Sequence, residues 1–173
     1  KEERRSFVSY PIEKGEEIPD IDYSISNRSY VLYKLKDNTI RWNGESIVHD
    51  LNRPVAVTAI RGGSITGNLK KQGYNLLEAN SDGQMLKLLL LSRVDAIVGL
   101  ENMIDAKIET LEPDQQKLIE KTYPEIVNKP YYVAFSKKFY QDHTKTAWTI
   151  WETIKLIKSS GELSEIVKRY SVR

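Results

Sequence analysis

The amino-acid sequence predicts an α/β fold with a mainly parallel sheet, and three observations carry that prediction. The apolar run Val55-Ala56-Val57-Thr58-Ala59-Ile60 passes through Arg61-Gly62-Gly63 into a short helical stretch. A capped, leucine-rich helix then leads into a second apolar run, Ala96-Ile97-Val98-Gly99, and two amphipathic helices close the chain. Strands that alternate with helices build βαβ units, and such sheets bind ligands at the carboxyl ends of their strands.

Taken in order, a loop rich in Pro, Gly and acidic residues from Pro11 to Asp22 comes first. Tyr30-Val31-Leu32-Tyr33-Lys34-Leu35 and Thr39-Ile40-Arg41-Trp42 flank Asp37-Asn38, which predicts a β-hairpin. Gly73 ends the helix that follows Gly63. Ser81 and Gln84 match the S-x-x-Q capping box and open a helix to about Ser92. A helix is predicted from Pro113 to about Thr122, then an irregular connection bracketed by Pro124 and Pro130, then a strand from Tyr131 to Phe135. Ala147, Ile150, Trp151, Ile154 and Ile157 share one helical face, Gly161 stops that helix, and Leu163, Ile166, Val167 and Tyr170 repeat the pattern.

Composition narrows the function. With 173 residues, 40% apolar and 29% charged, the chain has the make-up of a folded globular protein. A net charge of +2 from 26 basic and 24 acidic residues, without long blocks of one sign, argues against a nucleic-acid partner. The absence of cysteine excludes disulfides, Cys-zinc sites and thiol nucleophiles, and suits an oxidising compartment. The apolar run Met85 to Leu91 is broken by Lys87 and falls short of the roughly 20 residues of a membrane span. The start, Lys1-Glu2-Glu3-Arg4-Arg5, is charged with no apolar segment behind it, so a signal peptide is expected to have been removed or never present.

No metal or cofactor is expected. His49 and His143 lack metal-ligand spacing, and Gly62-Gly63 lacks both the lysine of a phosphate loop and the spacing of a dinucleotide fingerprint. Gly-x-Ser-x-Gly is absent, since threonine ends Gly62-Gly63-Ser64-Ile65-Thr66, and no catalytic residue is expected. The candidate binding residues are Gly63, Ser64 and Thr66, at a strand-to-helix junction where backbone N–H groups and hydroxyls favour an anion. Ser64 reads equally well as a helix N-cap, and Arg61 could add charge or point to water. Trp148 and Trp151 could pass for a binding platform, but Trp151 lies on the helical stripe and reads as core; Asp95 reads as structural, capping or bridging to Arg93.

Three ordered segments carry a resemblance to a known family. They are Glu2 to Tyr10, with Arg4 six residues before Tyr10; Asp50-Leu51, Arg53 to Val57, Gly63-Ser64 and Ser92-Arg93-Val94-Asp95-Ala96-Ile97-Val98; and Tyr131 to Lys137 with the ending Leu156 to Leu163, Ile166 and Tyr170. Together they resemble the bacterial extracytoplasmic solute-binding proteins of polar amino-acid ABC transporters, family 3 type.

That resemblance implies a type II periplasmic-binding-protein fold of two lobes with mainly parallel sheets flanked by helices. Residues 1–29 and 130–173 would form lobe one, with its N-terminal part missing, and 30–129 lobe two. It implies a periplasmic or extracytoplasmic, monomeric receptor that closes on a small polar solute and delivers it to a membrane permease complex. Arg4, with Arg5 as rival, would clamp a ligand carboxylate. Glu101 would hold an ammonium group, although Leu100 stands where the family's acid is expected. The other expectations are a sensor domain of a membrane signalling protein, an enzyme on the same fold, and the effector-binding half of a LysR-type regulator.

Overall fold

The structure, a computed structural model, describes residues 8–16 and 19–171. The strands are β1 (Val8–Ser9), β2 (Ser26–Leu35), β3 (Arg41–Trp42), β4 (Ile47–Val48), β5 (Ala56–Ile60), β6 (Asn75–Ala79), β7 (Ala96–Leu100), β8 (Ile119–Tyr131) and β9 (Phe135–Ser136). The helices are α1 (Thr66–Lys71), α2 (Asp82–Leu90), α3 (Glu101–Ile108), α4 (Pro113–Leu118), α5 (Lys137–Asp142), α6 (Thr144–Ser159) and α7 (Glu162–Ser171). Arg28–Asn128 forms one compact unit, and the described residues on either side of it form another.

The middle unit is built on a five-stranded sheet of order β6-β5-β7-β2-β8. Strand β5 runs parallel to β6, with Val57 opposite Leu76, and to β7, with Thr58 opposite Ile97. Strand β2 is antiparallel to β7, with Leu32 opposite Val98, so the sheet is mixed and its parallel part is β6-β5-β7. Side chains alternate between the two faces of a strand, which divides the core. On one face Leu32, Val57, Ala59 and Val98 pack with Ile65 and Leu69. On the other, Val31, Tyr33 and Ile97 pack with Met85, Leu86 and Leu89 of α2 and Ile104 of α3. A Cβ at Gly99 would lie 2.7 Å from Ile104 Cγ1, so the glycine lets α3 lie close over β7.

Ser81 caps α2 as the sequence suggested: its Oγ accepts the Gln84 N–H at 3.2 Å, and Gln84 Oε1 accepts the Asn80 N–H at 2.9 Å. Other segments differ from expectation. The predicted hairpin around Asp37-Asn38 does not form, because Asn38 Oδ1 accepts the Ile40 N–H and turns the chain out of the sheet. The hairpin lies further on, where β3 pairs with β4 around Asn43-Gly44. Asn43 Oδ1 accepts the N–H groups of Glu45 and Ser46, both at 2.9 Å, and Gly44 takes a φ of 98°.

Strand β6 was not anticipated; it is an edge strand whose burial rises and falls with period two. Helix α4 stops at Leu118, and the predicted irregular connection is the long strand β8. Pro124 and Pro130 fit there because β8 is the outer strand, where an N–H can be dispensed with. Of the strand predicted at Tyr131 to Phe135, only β9 remains distinct, and it pairs with β1. Asp95 is structural, but its partner is Arg53, not Arg93. The guanidinium bonds both carboxylate oxygens at 2.6 and 2.8 Å, and the Ala56 N–H adds a third contact at 2.8 Å.

In the other unit Trp151 is fully buried with Tyr23 and Ala147, and its indole N–H donates to Val133 O at 2.7 Å. The Trp148 indole N–H donates to Tyr140 Oη at 3.1 Å. Trp151 belongs to this core, as expected, with the partly buried Trp148 packed against it, and Gly161, at φ 81°, separates α6 from α7. Helix α7 forms, yet Ile166 and Val167 stay exposed at 38% and 51%.

Candidate functional site

Strand β5 ends at Ile60, and the chain reverses through a tight turn before α1 begins. The Gly63 N–H donates to Ile60 O at 3.0 Å, while Gly63 O accepts both the Thr66 N–H at 3.1 Å and the Thr66 hydroxyl at 2.8 Å. A Cβ at Gly63 would stand 2.9 Å from Ile60 O, a backbone atom, so the turn in this form requires glycine. Thr66 is buried and its hydroxyl proton is spent on the turn.

Ser64 is not the N-cap. That position belongs to Ile65, without a side-chain cap, and the exposed Ser64 places its hydroxyl 3.2 Å from the Tyr30 hydroxyl of β2. Arg61 is exposed in the same turn. The neighbouring Glu78 carboxyl lies below the usual range, chiefly through its bond to Lys70 at 2.5 Å, against the opposing effect of burial and with help from the Gly62 N–H and Arg61.

Glu101 opens α3, directly after β7. Its carboxylate accepts the Lys121 ammonium at 2.9 Å and the Tyr123 hydroxyl. Lys121 also reaches Asp105 at 2.6 Å, and Tyr33 donates to Asp105 Oδ1 at 2.8 Å. The Tyr123 hydroxyl and Lys121 hold the Glu101 carboxyl below its usual value. Burial by itself would lower Lys121, but Asp105 and Glu101 outweigh it and raise the ammonium well above its ordinary range. Leu100 packs instead against the core face that contains Tyr30 and Ile65.

Gly63, Ser64 and Thr66 therefore share one turn, and Glu101 follows the adjacent parallel strand at the same carboxyl edge. Arg4 and its rival Arg5 lie outside the described residues. His49 and His143 are exposed; His49 Nδ1 accepts the Leu51 N–H, and the His143 ring lies 4.9 Å from that of Phe139. Among the described residues no group of three His, Cys, Asp or Glu side chains could hold a metal, and no helix is long and apolar enough to cross a membrane. Sequence reasoning missed Tyr30, Tyr33, Asp105, Lys121 and Tyr123. The alternation along β2 could have marked Tyr30 and Tyr33 as opposite-facing, whereas Lys121 was hidden inside a predicted helix.

No protein-family model matches the sequence, and none of the curated proteins matches it. Solved structures do. The GluR0 ligand-binding core from Nostoc punctiforme in complex with L-glutamate aligns with a TM-score of 0.61 at 12% identity, over 85% of this chain and 62% of that one. A binding component of an ABC transporter from Wolinella succinogenes, complexed with lysine, aligns with a TM-score of 0.64 at 15% identity, over 87% and 61%. A histidine kinase sensor domain with similarity to periplasmic binding proteins aligns with a TM-score of 0.62 at 14% identity, over 85% and 60%. The chain thus spans about three fifths of the length of these structures, and within that span it has the type II periplasmic-binding-protein fold.

Proposed function

We propose that the chain is the greater part of an extracytoplasmic solute-binding protein that captures a small polar ligand, an amino acid or a related carboxylate, for an ABC transporter. The observation that carries this reading is the Gly63–Thr66 turn at the carboxyl end of β5, a tight loop that requires glycine and sets the exposed Ser64 beside the Tyr30 phenol. Binding needs no bond-making step, and we assign no catalytic residue. Gly63, Ser64 and Thr66 form the proposed contact to the ligand from the middle unit, and Glu101, at the end of the neighbouring strand β7, is a further proposed contact. Arg4 is the proposed carboxylate clamp. A periplasmic location, a monomeric state and a membrane permease as partner belong to the same proposal, and the lysine-bound transporter component of the same fold supports it.

The sensor-domain structure favours a second reading, in which the same domain reports ligand to a membrane-bound signalling protein. Both readings require a ligand. A thermal-shift screen against amino acids, short peptides, polyamines and small carboxylates tests this, since a ligand bound only to the folded state raises the melting temperature by mass action. A saturable rise with one solute class is the expected result. A flat response across the whole set contradicts both.

A further inference from the structure

Helices α2 and α3 pack together over one face of the middle unit's sheet, and with the turn that follows α3 they border a groove of about 490 Å³. Its floor is leucine. Leu86 is fully buried, while Leu90 and Leu111 are partly buried and pack against the same core. Leu91, just past the end of α2, is 59% exposed. Leu86 and Leu90 stand one turn apart on α2, about 6 Å along its axis, a spacing that matches apolar residues one turn apart on a second helix.

The rim carries charge of one sign. Lys87 of α2 and Lys107 of α3 both line the groove, no carboxylate does, and among the described residues neither lysine has an ion-pair partner. Asp114, in the following helix, is bonded to Lys117 at 2.9 Å. A Cβ at Gly83, in the first turn of α2, would lie 3.3 Å from Lys107 Cε, so the glycine lets the lysine stem reach across from α3. A stem laid down in this way extends the apolar surface while its ammonium stays in water.

An apolar floor beside two unpaired cations selects its occupant. Lys87, Lys107 and Leu91 are exposed, so a small molecule here would keep one side in water, whereas bound small ligands bury most of their surface. An amphipathic helix laid along the groove would cover the leucines and set acidic side chains against both lysines. We propose that this groove is a docking surface for an acidic amphipathic segment of another protein, whose apolar residues seat on Leu90, Leu91 and Leu111 and whose carboxylates pair with Lys87 and Lys107. The proposal is independent of the solute-binding reading and holds for transport and sensing alike.

The test uses the full chain and two synthetic helical peptides that share leucines at i, i+3, i+4 and i+7 and differ in carrying glutamate or lysine at the flanking positions. In amide chemical-shift titrations the glutamate peptide should give saturable shifts at Leu90, Leu91, Thr110 and Leu111. Fluorescence anisotropy should show it to bind about tenfold tighter than the lysine peptide. The double variant Lys87→Glu with Lys107→Glu should reverse that order, with an unchanged urea midpoint because both side chains are exposed. Equal affinity for the two peptides, saturable shifts away from the groove, or no binding by either overturns the proposal. Tighter binding of decanoate at these residues, which assigns the groove to a small amphiphile, also overturns it, as does concentration-dependent dimerisation that shifts the same signals. The wild-type comparison decides the matter even where the double variant fails to fold.

Discussion

Two glycines four residues apart should respond to alanine in opposite directions. At Gly63 the added Cβ would lie 2.9 Å from Ile60 O, and this carbonyl also accepts the Gly63 N–H at 3.0 Å. The clash is with backbone, so relief must come from moving the turn, and the Gly63 O contacts to Thr66 move with it. Overpacking of this kind costs about 1–3 kcal/mol, and a weakened hydrogen bond adds about 0.5–1.5 kcal/mol. At Gly67 a Cβ meets nothing within 4 Å, and the residue lies inside α1. Alanine there should stabilise by about 0.5–1 kcal/mol, because glycine is the poorer helix former.

Urea denaturation followed by circular dichroism measures both variants. The expected result is a lower midpoint for Gly63→Ala and a midpoint equal to or above wild type for Gly67→Ala, with similar slopes. Gly63→Ala should also weaken binding of a solute found in the thermal-shift screen by about tenfold, because the turn that presents Ser64 has shifted. Wild-type stability in Gly63→Ala would refute the geometry on which the site is built.

Other outcomes follow from the packing and charge. Asp95→Ala leaves the Ala56 N–H at the start of β5 without its acceptor, while the exposed Arg53 guanidinium regains water, and should cost about 1–3 kcal/mol in the same assay. Burial alone would raise the Asp95 carboxyl, but Arg53 and the Ala56 N–H lower it below its usual value. A depressed carboxyl stabilises the fold above its unfolded-state value and loses that contribution as pH falls through its folded-state value. The stability gap between wild type and Asp95→Asn should therefore close below about pH 4, as pH titration of the urea midpoint would show. Trp151→Ala removes a fully buried indole with its bond to Val133 O and should cost its own unit about 3–5 kcal/mol, read from proteolytic susceptibility after Tyr131.

Much of this fold is legible in local sequence, because its strongest elements are specified by neighbours in the chain. Ser81 and Gln84 announce α2 through bonds within one turn of helix, and the stripe from Ala147 to Ile157 announces α6. The misread segments depend on partners far away. Strand β8 carries two prolines and a weak pattern, and it is a strand because it lies along β2 at the sheet edge. The true hairpin had a local sign in Asn43-Gly44, whose side-chain turn outweighs that of Asp37-Asn38.

The site divides in the same way. The glycine turn after β5 could be placed from Gly62-Gly63 alone, since its geometry is set within a few residues. The surroundings of Glu101 could not, because Lys121 is 20 residues away and reaches it only through the sheet. Likewise Arg53 stands 42 residues from Asp95, which is why the nearer Arg93 was the expected partner. The cap reading of Ser64 stood level with the binding one because serine before a helix is often its cap; here the helix starts a residue later and the hydroxyl faces Tyr30.

The central claim is that the carboxyl edge of the parallel strands binds a small polar solute. Amide chemical-shift perturbation, with the full chain titrated by the solute that gives the largest thermal shift, tests it most directly. Saturable shifts centred on the backbone N–H signals of Gly63, Ser64 and Thr66, with smaller ones at Glu101, are the predicted result. Saturable shifts that leave this turn unmoved and gather elsewhere would contradict it.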